Sequence, residues 1–275
     1  MVSLTLFSIG ACGDAGGTGS TASQGGGGGE AATCDPNHLF GVPNENTGLD
    51  DTQCSPSCGC GDGAWTPEPW TDARVASLRE WTLTATPADL ETDPYETTPA
   101  PPQAGQVCGF VVDDLAAKTY HLTTFDSADA AAQAGAIVTH EDACGLCSSL
   151  EDLAVYTGTP DLTAPVRGCG IETLGDPVEA DVACLEELGF THPCAQIWGY
   201  NTQHTRSVCL DTCSALLGAA YQESDGSLNA CLQCDEDMSG DVFKAVAGRT
   251  RRNTGVASAL CRPCETVARL AHDYP

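Results

Sequence analysis

Cysteine content constrains the fold of this chain more than any other feature of its sequence. Seventeen of the 275 residues are cysteines, and chains so rich in thiols are typical of oxidising compartments. Cys12 ends a short apolar N-terminal segment that differs in composition from the rest of the chain. The remaining sixteen cysteines are an even number and can pair completely. We therefore expect an exported protein in which disulfides do part of the work that a large hydrophobic core does elsewhere.

The charge of the chain excludes several classes of partner. Lys and Arg number 11 against 38 Asp and Glu, which gives a formal net charge of −27. Because nucleic acids and anionic membrane surfaces repel such a chain, we predict no nucleic-acid partner. No stretch after Cys12 approaches 18 consecutive apolar residues, so no membrane-spanning helix is expected. No cofactor is predicted either.

The first twelve residues, MVSLTLFSIGAC, form a short apolar run that ends in small residues. Such a run is typical of a signal peptide over residues 1–11 and is too short to span a bilayer. Its end resembles the lipobox of bacterial lipoproteins, Ile9-Gly10-Ala11-Cys12. The resemblance implies cleavage before Cys12, a lipid on its thiol, and attachment to a membrane of the bacterial envelope on the periplasmic or cell-surface side.

One departure from the lipoprotein pattern leaves an alternative open. No Lys or Arg precedes Cys12, and Arg74 is the first basic residue of the chain. Either the chain starts upstream of Met1, or its first residues are an ordinary terminus.

Three segments follow with different compositions. Residues 12–33 hold nine glycines and predict a flexible tether with a reach of roughly 25 Å. Residues 34–64 predict a small Cys-rich knot with local disulfides; a zinc site is the alternative. Residues 65–105 predict an extended linker rich in Pro, Thr and acidic residues, with one short helix at Asp72–Trp81. The four cysteines of the knot are Cys34, Cys54, Cys58 and Cys60.

Residues 106–275 carry the other twelve cysteines and predict a disulfide-rich α+β domain of mainly short helices with a small antiparallel sheet. Strand-like runs at Val107–Asp113 and Thr119–Phe125 predict a hairpin, and residues 136–140 predict a further strand. An Ala-rich stretch predicts a short helix at 127–133. Helical spacing predicts longer helices at 144–156, 177–189, 206–219 and 255–272.

Cys-x-x-Cys occurs three times, and each instance allows structural disulfides, zinc thiolates or a redox couple. Export and the even cysteine count favour structural disulfides. The zinc interpretation rests on the ribbon-like order of the last two pairs, which stand 26 residues apart. The pairs are Cys144/Cys147, Cys231/Cys234 and Cys261/Cys264.

The first of these pairs offers candidate catalytic residues. From Tyr120 onward, the predicted strands, helix and CGLC sequence resemble the active-site segment of thioredoxins over about forty residues. The resemblance implies a thiol-disulfide oxidoreductase that uses Cys144 and Cys147. The same residues overlap the papain-type pattern around a catalytic cysteine, with departures at Leu146 and Ser148. His140, four residues earlier, is a candidate general base or metal ligand; the alternative is a hydrogen-bonded loop residue.

An acidic run, CDEDMSGDV, is similar to the first eight positions of an EF-hand calcium loop, with Asp235, Asp237 and Ser239 as candidate ligands. Val246 stands where the loop needs a bidentate Glu, so only a weak calcium site is predicted. The alternative is a solvated acidic turn, which we favour.

Basic residues are concentrated near the C-terminus, where six of the eleven lie between residues 244 and 269. Guanidinium groups bind carboxylate, sulfate or phosphate bidentately, so Arg249, Arg251 and Arg252 are candidate anion ligands. The alternative, which we favour, is that these arginines anchor acidic helices of the same domain. The polar segment Tyr200–Arg206 is a possible neighbour of such a site.

These observations favour a secreted, lipid-anchored, acidic envelope protein with a binding or structural role over an enzyme. The alternatives are the oxidoreductase and a calcium- or zinc-binding module. No family resemblance is evident for residues 106–275.

Overall fold

The computed structural model describes residues 38–59, 64–97 and 99–275, which form a disulfide-rich α+β fold as predicted. The elements of its first half are β1 (Leu39–Phe40), β2 (Cys54–Ser55), α1 (Asp72–Leu78), β3 (Thr82–Leu83), α2 (Pro94–Thr97), β4 (Val107–Asp114), β5 (Thr119–Phe125), α3 (Ala128–Gln133) and β6 (Ile137–Glu141). Those of its second half are α4 (Leu150–Gly158), α5 (Thr163–Glu172), α6 (Val178–Glu187), α7 (His192–Ser214), α8 (Ala230–Ala247), α9 (Arg251–Thr254) and β7 (Arg262–Pro263). Over the described ranges, no helix combines the length and the apolar character that crossing a bilayer requires.

The larger sheet is built on the predicted hairpin. Strands β4 and β5 pair antiparallel, with Val107 opposite Phe125, and β6 joins the other edge of β4. The order is β3-β5-β4-β6, in which β3 runs parallel to β5. A smaller sheet of order β2-β1-β7 also contains one parallel pair. The predicted small antiparallel sheet is confirmed in β5-β4-β6, but the sheets are not all antiparallel, because the short strands β2 and β3 pair in parallel.

Residues expected to form an extended linker contribute to the core. Helix α1 begins after Thr71, whose side chain accepts a hydrogen bond from the Arg74 amide, and ends three residues before Trp81. Leu78 and Trp81 are buried against Phe110 of β4, with the Trp81 and Phe110 rings edge to face at 5.0 Å. The segment therefore packs the sheet against α4 and is not a spacer.

The second half is a helical layer with its own core. Val182 and Leu185 of α6 pack against Ile197 of α7, together with Phe190 between them. The helix predicted at 177–189 is confirmed as α6. Helix α4 begins at Leu150, six residues later than predicted, because the Cys144–Cys147 segment forms a loop.

Two predictions for the second half are wrong. Residues 255–272 are not a helix: Gly255 adopts φ +73, and Val256 and Val267 are buried in different clusters. The helix-like spacing of these apolar residues arises because an irregular segment contacts two different clusters.

Helix α8 was not predicted, since its acidic sequence resembles a ligand loop. Helix α7 begins at His192, fourteen residues before the predicted start, because a polar first half hides its periodicity.

Disulfides include all fourteen cysteines of the described residues. They join Cys54–Cys261, Cys58–Cys264, Cys108–Cys144, Cys147–Cys194, Cys169–Cys184, Cys209–Cys234 and Cys213–Cys231. The first two, which we call the terminal disulfides, span 207 and 206 residues and tie β2 and its flank to the C-terminal segment.

The predicted local knot is therefore wrong for Cys54 and Cys58, because their partners lie in the C-terminal segment. Its other two members, Cys34 and Cys60, lie outside the described residues, as do the signal peptide, Cys12 and the tether. The described residues belong to one compact unit.

Candidate functional site

The CGLC segment is a docking loop with each cysteine in a different disulfide. Cys144 is bonded to Cys108 of β4, and Cys147 to Cys194 of α7. A thioredoxin-type couple requires a bond between the two cysteines of the pair, so the sulfur pairing contradicts the expectation drawn from that resemblance. The same holds for a papain-type nucleophile at Cys147, whose sulfur is buried and bonded.

Gly145, which contributes to the resemblance to a redox motif, lies where the CGLC loop contacts the end of α8. The Leu146 and Cys147 amides donate to the carbonyls of Val246 and Ala247 at the end of α8, at 3.0 and 2.9 Å. A Cβ added at Gly145 would lie 2.6 Å from the Ala247 carbonyl carbon. The glycine is required for this close backbone approach.

His140 is fully buried at the end of β6 and its ring nitrogens are both occupied. Its Nδ1 donates to the Glu141 carbonyl at 2.7 Å, so its Nε2 accepts from the Ser148 hydroxyl at 2.7 Å. Burial, with the nearby Arg249 cation, holds the pKa of His140 well below its usual range. The residue joins β6 to the CGLC loop as a neutral imidazole, which supports the hydrogen-bonded alternative.

Arg249 has no exposed surface. Its Nε donates to the Cys147 carbonyl at 2.9 Å, and its Nη2 to the Ser148 carbonyl at 2.8 Å and the Thr139 hydroxyl at 2.7 Å. Its Nη1 donates to the Thr139 carbonyl at 3.2 Å and reaches the Thr254 hydroxyl at 3.4 Å. The guanidinium is thus a structural connector between β6, the CGLC loop and α9, and it presents no surface to a ligand.

The other two arginines of the basic cluster also contact the protein itself. Arg251 donates to the carbonyls of Thr159 and Ala257, and burial lowers its pKa to about 10. Arg252 lies 2.6 Å from a Glu236 oxygen, and the other oxygen of that carboxylate binds Arg262. This geometry supports the structural alternative.

The calcium-loop residues do not form a loop. Asp235, Asp237 and Ser239 all lie within α8, and side chains two apart on a helix point in different directions. Asp235 instead accepts from Asn201 and Thr205 of α7, and Ser239 lies 3.0 Å from His204 Nδ1. The calcium prediction is therefore wrong in geometry.

Metal sites have no other support in the described ranges, where no group of three or more His, Cys, Asp or Glu side chains is suitably placed. Residues of the segment Tyr200–Arg206 contact Asp235 and Ser239 and not the arginines they were expected to neighbour. Burial raises the pKa of Asp235, which is consistent with an internal hydrogen-bonded contact between α7 and α8.

An open cavity elsewhere on the surface is lined by aromatic and charged side chains of the kinds that bind ligands. A cavity of about 300 Å³ lies between residues 65–74 and residues 269–273; its chief lining residues are Trp65, Trp70, Arg74, Gly255, Arg269 and His272. We call it the C-terminal groove. Its volume lies at the lower end of the range of small-molecule sites.

Both indoles of the groove are held in place by neighbouring contacts. The backbone of Trp65 pairs with Cys58 through two hydrogen bonds of 2.7 Å, and its ring packs on Phe40 at 5.2 Å. The Trp70 ring lies 5.5 Å from that of His272. The Arg74 guanidinium lies 3.9 Å from the centre of the Trp70 ring, a cation–π contact. The walls are therefore preorganised.

Arg74 joins the two walls. Its Nη1 donates to the Glu68 carbonyl at 2.9 Å and its Nη2 to the His272 carbonyl at 3.1 Å. Among the described residues it forms no salt bridge with a carboxylate. Its positive charge is therefore available to an anionic ligand.

Internal hydrogen bonds occupy both ring nitrogens of His272 in the groove. His272 donates from Nε2 to the Thr254 carbonyl at 2.8 Å and its Nδ1 lies 3.1 Å from the Tyr274 hydroxyl. Burial lowers its pKa to about 4, so it is a weak base.

Sequence reasoning missed most of this groove. Only Arg269 belonged to a predicted basic cluster, whereas Trp65, Trp70 and Arg74 fell in the supposed linker. The available signal was WTPEPWTDAR, which places two of the four tryptophans and the first basic residue within ten positions. Nothing in the sequence indicates that His272 lies opposite them.

Comparisons with known proteins place only part of the chain. The model of a family of unknown function, DUF8771, matches residues 178–270. The match begins at the first residue of α6 and runs through α7, α8 and the basic cluster, and it excludes Trp65 and Trp70. No curated protein and no solved structure gives a significant match. The matched segment is thus similar to a family that has a sequence signature but no assigned activity.

Proposed function

We propose that this chain is a lipid-anchored module of a bacterial envelope, held at the membrane by Cys12, with a binding role and not a catalytic one. The observation that carries the export of the chain is the sulfur pairing: all fourteen described cysteines form disulfides. Such a network indicates an oxidising, extracytoplasmic environment. The lipobox-like residues and the glycine-rich tether supply the anchor.

The tether and the charge of the chain fit such a position. A chain with a net charge of −27 is repelled by anionic lipid headgroups. The composition of residues 12–33 predicts a tether with a reach of roughly 25 Å, which is long enough for the folded unit to lie more than a Debye length from that surface. A single lipid gives only marginal membrane binding, so the diacyl chains that the lipobox resemblance implies suit a stable anchor.

Metabolic labelling with an alkyne fatty acid tests the anchor in bacteria that export the full chain. The wild type and a Cys34→Ala variant should incorporate label, whereas Cys12→Ala should not. Cys34 is a matched control because it is the next cysteine and no apolar run precedes it. Equal labelling of wild type and Cys12→Ala, or none on either, would contradict the proposed anchor.

Thiol titration of the exported, denatured protein tests the compartment separately. Sixteen cysteines in disulfides and one carrying lipid leave no thiol to react, so we expect none. An oxidoreductase would instead show a pair that is reduced by mild thiol and restored by oxidant. Finding free cysteines at the described disulfide positions would refute the compartment whatever the labelling shows.

A further inference from the structure

We propose that the C-terminal groove binds a saccharide whose pyranose ring carries a carboxylate group. The groove is a concave site of about 300 Å³ with two indoles, and Arg74 joins its two walls. Nothing in this inference depends on the lipid anchor, so the two proposals succeed or fail separately.

The tryptophans favour a ligand with a flat apolar face. Trp65 and Trp70 are half-buried and line the groove. Their positions are fixed by Phe40 and His272, so a ligand orders few side chains when it binds. Arg74 covers part of the Trp70 ring and Phe40 part of the Trp65 ring, so the C–H groups of a sugar ring pack against the indole surface that remains exposed.

Arg74 determines the charge of the ligand. Its guanidinium lies against the Trp70 ring and brings positive charge to the lining. A cationic ligand, such as a quaternary ammonium group, is therefore repelled from the ring face that it would need. A carboxylate can accept the remaining N–H donors of Arg74 in a charge-assisted pair.

Carboxylates at the same groove require that the ligand also donates hydrogen bonds. Glu68 and Asp273 are exposed and belong to the lining. They would repel a ligand with only anionic or apolar groups, such as a fatty acid, whereas sugar hydroxyls can donate to them. A ring with several hydroxyls and one carboxylate fits both parts of the lining.

Calorimetric titration of the full, oxidised chain tests the assignment with two matched probes, the α-1,4-linked tetramers of galacturonic acid and of glucose. We expect the acidic tetramer to bind roughly tenfold or more tightly than the neutral one. Raising the salt concentration from 50 mM to 500 mM should weaken only the acidic tetramer. Equal affinity for both probes, or no binding of either at millimolar concentration, overturns the proposal.

Variants localise the binding. Arg74→Gln should remove the preference for the acidic tetramer, and Trp70→Ala should weaken both tetramers, with partial recovery in Trp70→Phe. Arg79→Gln is the control, because Arg79 is exposed at the end of the same helix and does not line the groove. Its affinities should match the wild type. Circular dichroism and thermal unfolding identify misfolded variants; if Arg74→Gln is misfolded, the Trp70 variants decide. Loss of binding in Arg79→Gln to the same extent as in Arg74→Gln contradicts the site.

Discussion

Replacing Arg249 by methionine should destabilise this protein more than any other single change in its basic cluster. The side chain has no exposed surface and donates to three backbone carbonyls and a hydroxyl within 3.2 Å. Methionine fills much of the same volume but donates no hydrogen bond. The carbonyls of Cys147 and Ser148 would then lose this donor in the interior.

The expected decrease in the free energy of unfolding follows from the cost of leaving those buried carbonyls without a hydrogen-bond donor. Each buried carbonyl left without a donor costs about 1–3 kcal/mol, and removal of the buried cation returns part of that cost. We therefore expect the free energy of unfolding of Arg249→Met to fall by about 3–5 kcal/mol. Arg249→Lys should lose about 2 kcal/mol or more, because a single ammonium group cannot reach acceptors on three sides.

Arg252→Met is the matched control. Its side chain is 43% exposed and makes one ion pair, with Glu236, so about 0.2–1 kcal/mol should be lost. Urea unfolding of the oxidised proteins, followed by fluorescence and far-UV circular dichroism, measures both variants at constant m value. If Arg249→Met loses no more than Arg252→Met, the guanidinium is not a structural connector and the argument for it fails.

Three further predictions concern stability, each measured by urea unfolding. Gly145→Ala should lower the free energy of unfolding by about 2 kcal/mol or more. Its control is Gly168→Ala on α5, where a Cβ meets open space, so the free energy of unfolding should rise by about 0.5–1 kcal/mol. Similar values for the two variants would refute the close backbone approach at Gly145. Removing either terminal disulfide should cost about 2–3 kcal/mol, since the other still joins the same two segments, and removing both should cost more than the two losses added; simple additivity would contradict this. Burial lowers the pKa of His272 to about 4, below its value in the unfolded chain, so its contribution to stability is complete above pH 6.5 and is lost as pH falls toward 4. Between pH 7 and 4.5, the free energy of unfolding of the wild type should therefore fall by roughly 2–3 kcal/mol more than that of His272→Gln. Equal losses would refute the burial of His272.

Elements with local signals could be predicted from the sequence. The β4–β5 hairpin has strand alternation on both sides of a short turn, and α3 has an N-cap at Ser127, which accepts from the Ala130 amide. Helix α6 has apolar residues at helical spacing. In each case the information lies within about twenty residues, and tertiary contacts reinforce it.

Helix α8 shows why another prediction failed. Its spacing of Asp235, Asp237 and Ser239 resembles a calcium loop, but the segment is helical and two disulfides join it to α7. Cys209 and Cys213 are one turn apart on α7, and their partners are one turn apart on α8. This arrangement suits two antiparallel helices, yet the sequence alone allowed many other pairings.

The candidate site depended on contacts that no local pattern contains. The basic cluster was identified, but the role of each arginine depends on burial, and Arg249 and Arg252 differ in burial although they are three residues apart. The groove joins Trp70 to His272, about two hundred residues away along the chain. The terminal disulfides, whose pairing was also unpredictable, bring these segments together.

The position of Arg249 gives a physical reason for a buried cation that forms no salt bridge with a carboxylate of the described residues. One hydrophobic cluster lies in the helical layer and another between the sheet, α1 and α4. Irregular backbone at Cys147 and Ser148 runs beside β6 at the junction of these clusters, so carbonyls there have no ladder or helix to supply donors. An apolar side chain would leave those carbonyls unpaired, whereas one planar guanidinium donates in several directions at once. Because the adjacent Cys147–Cys194 disulfide already restricts this loop, ordering the arginine requires little further loss of entropy.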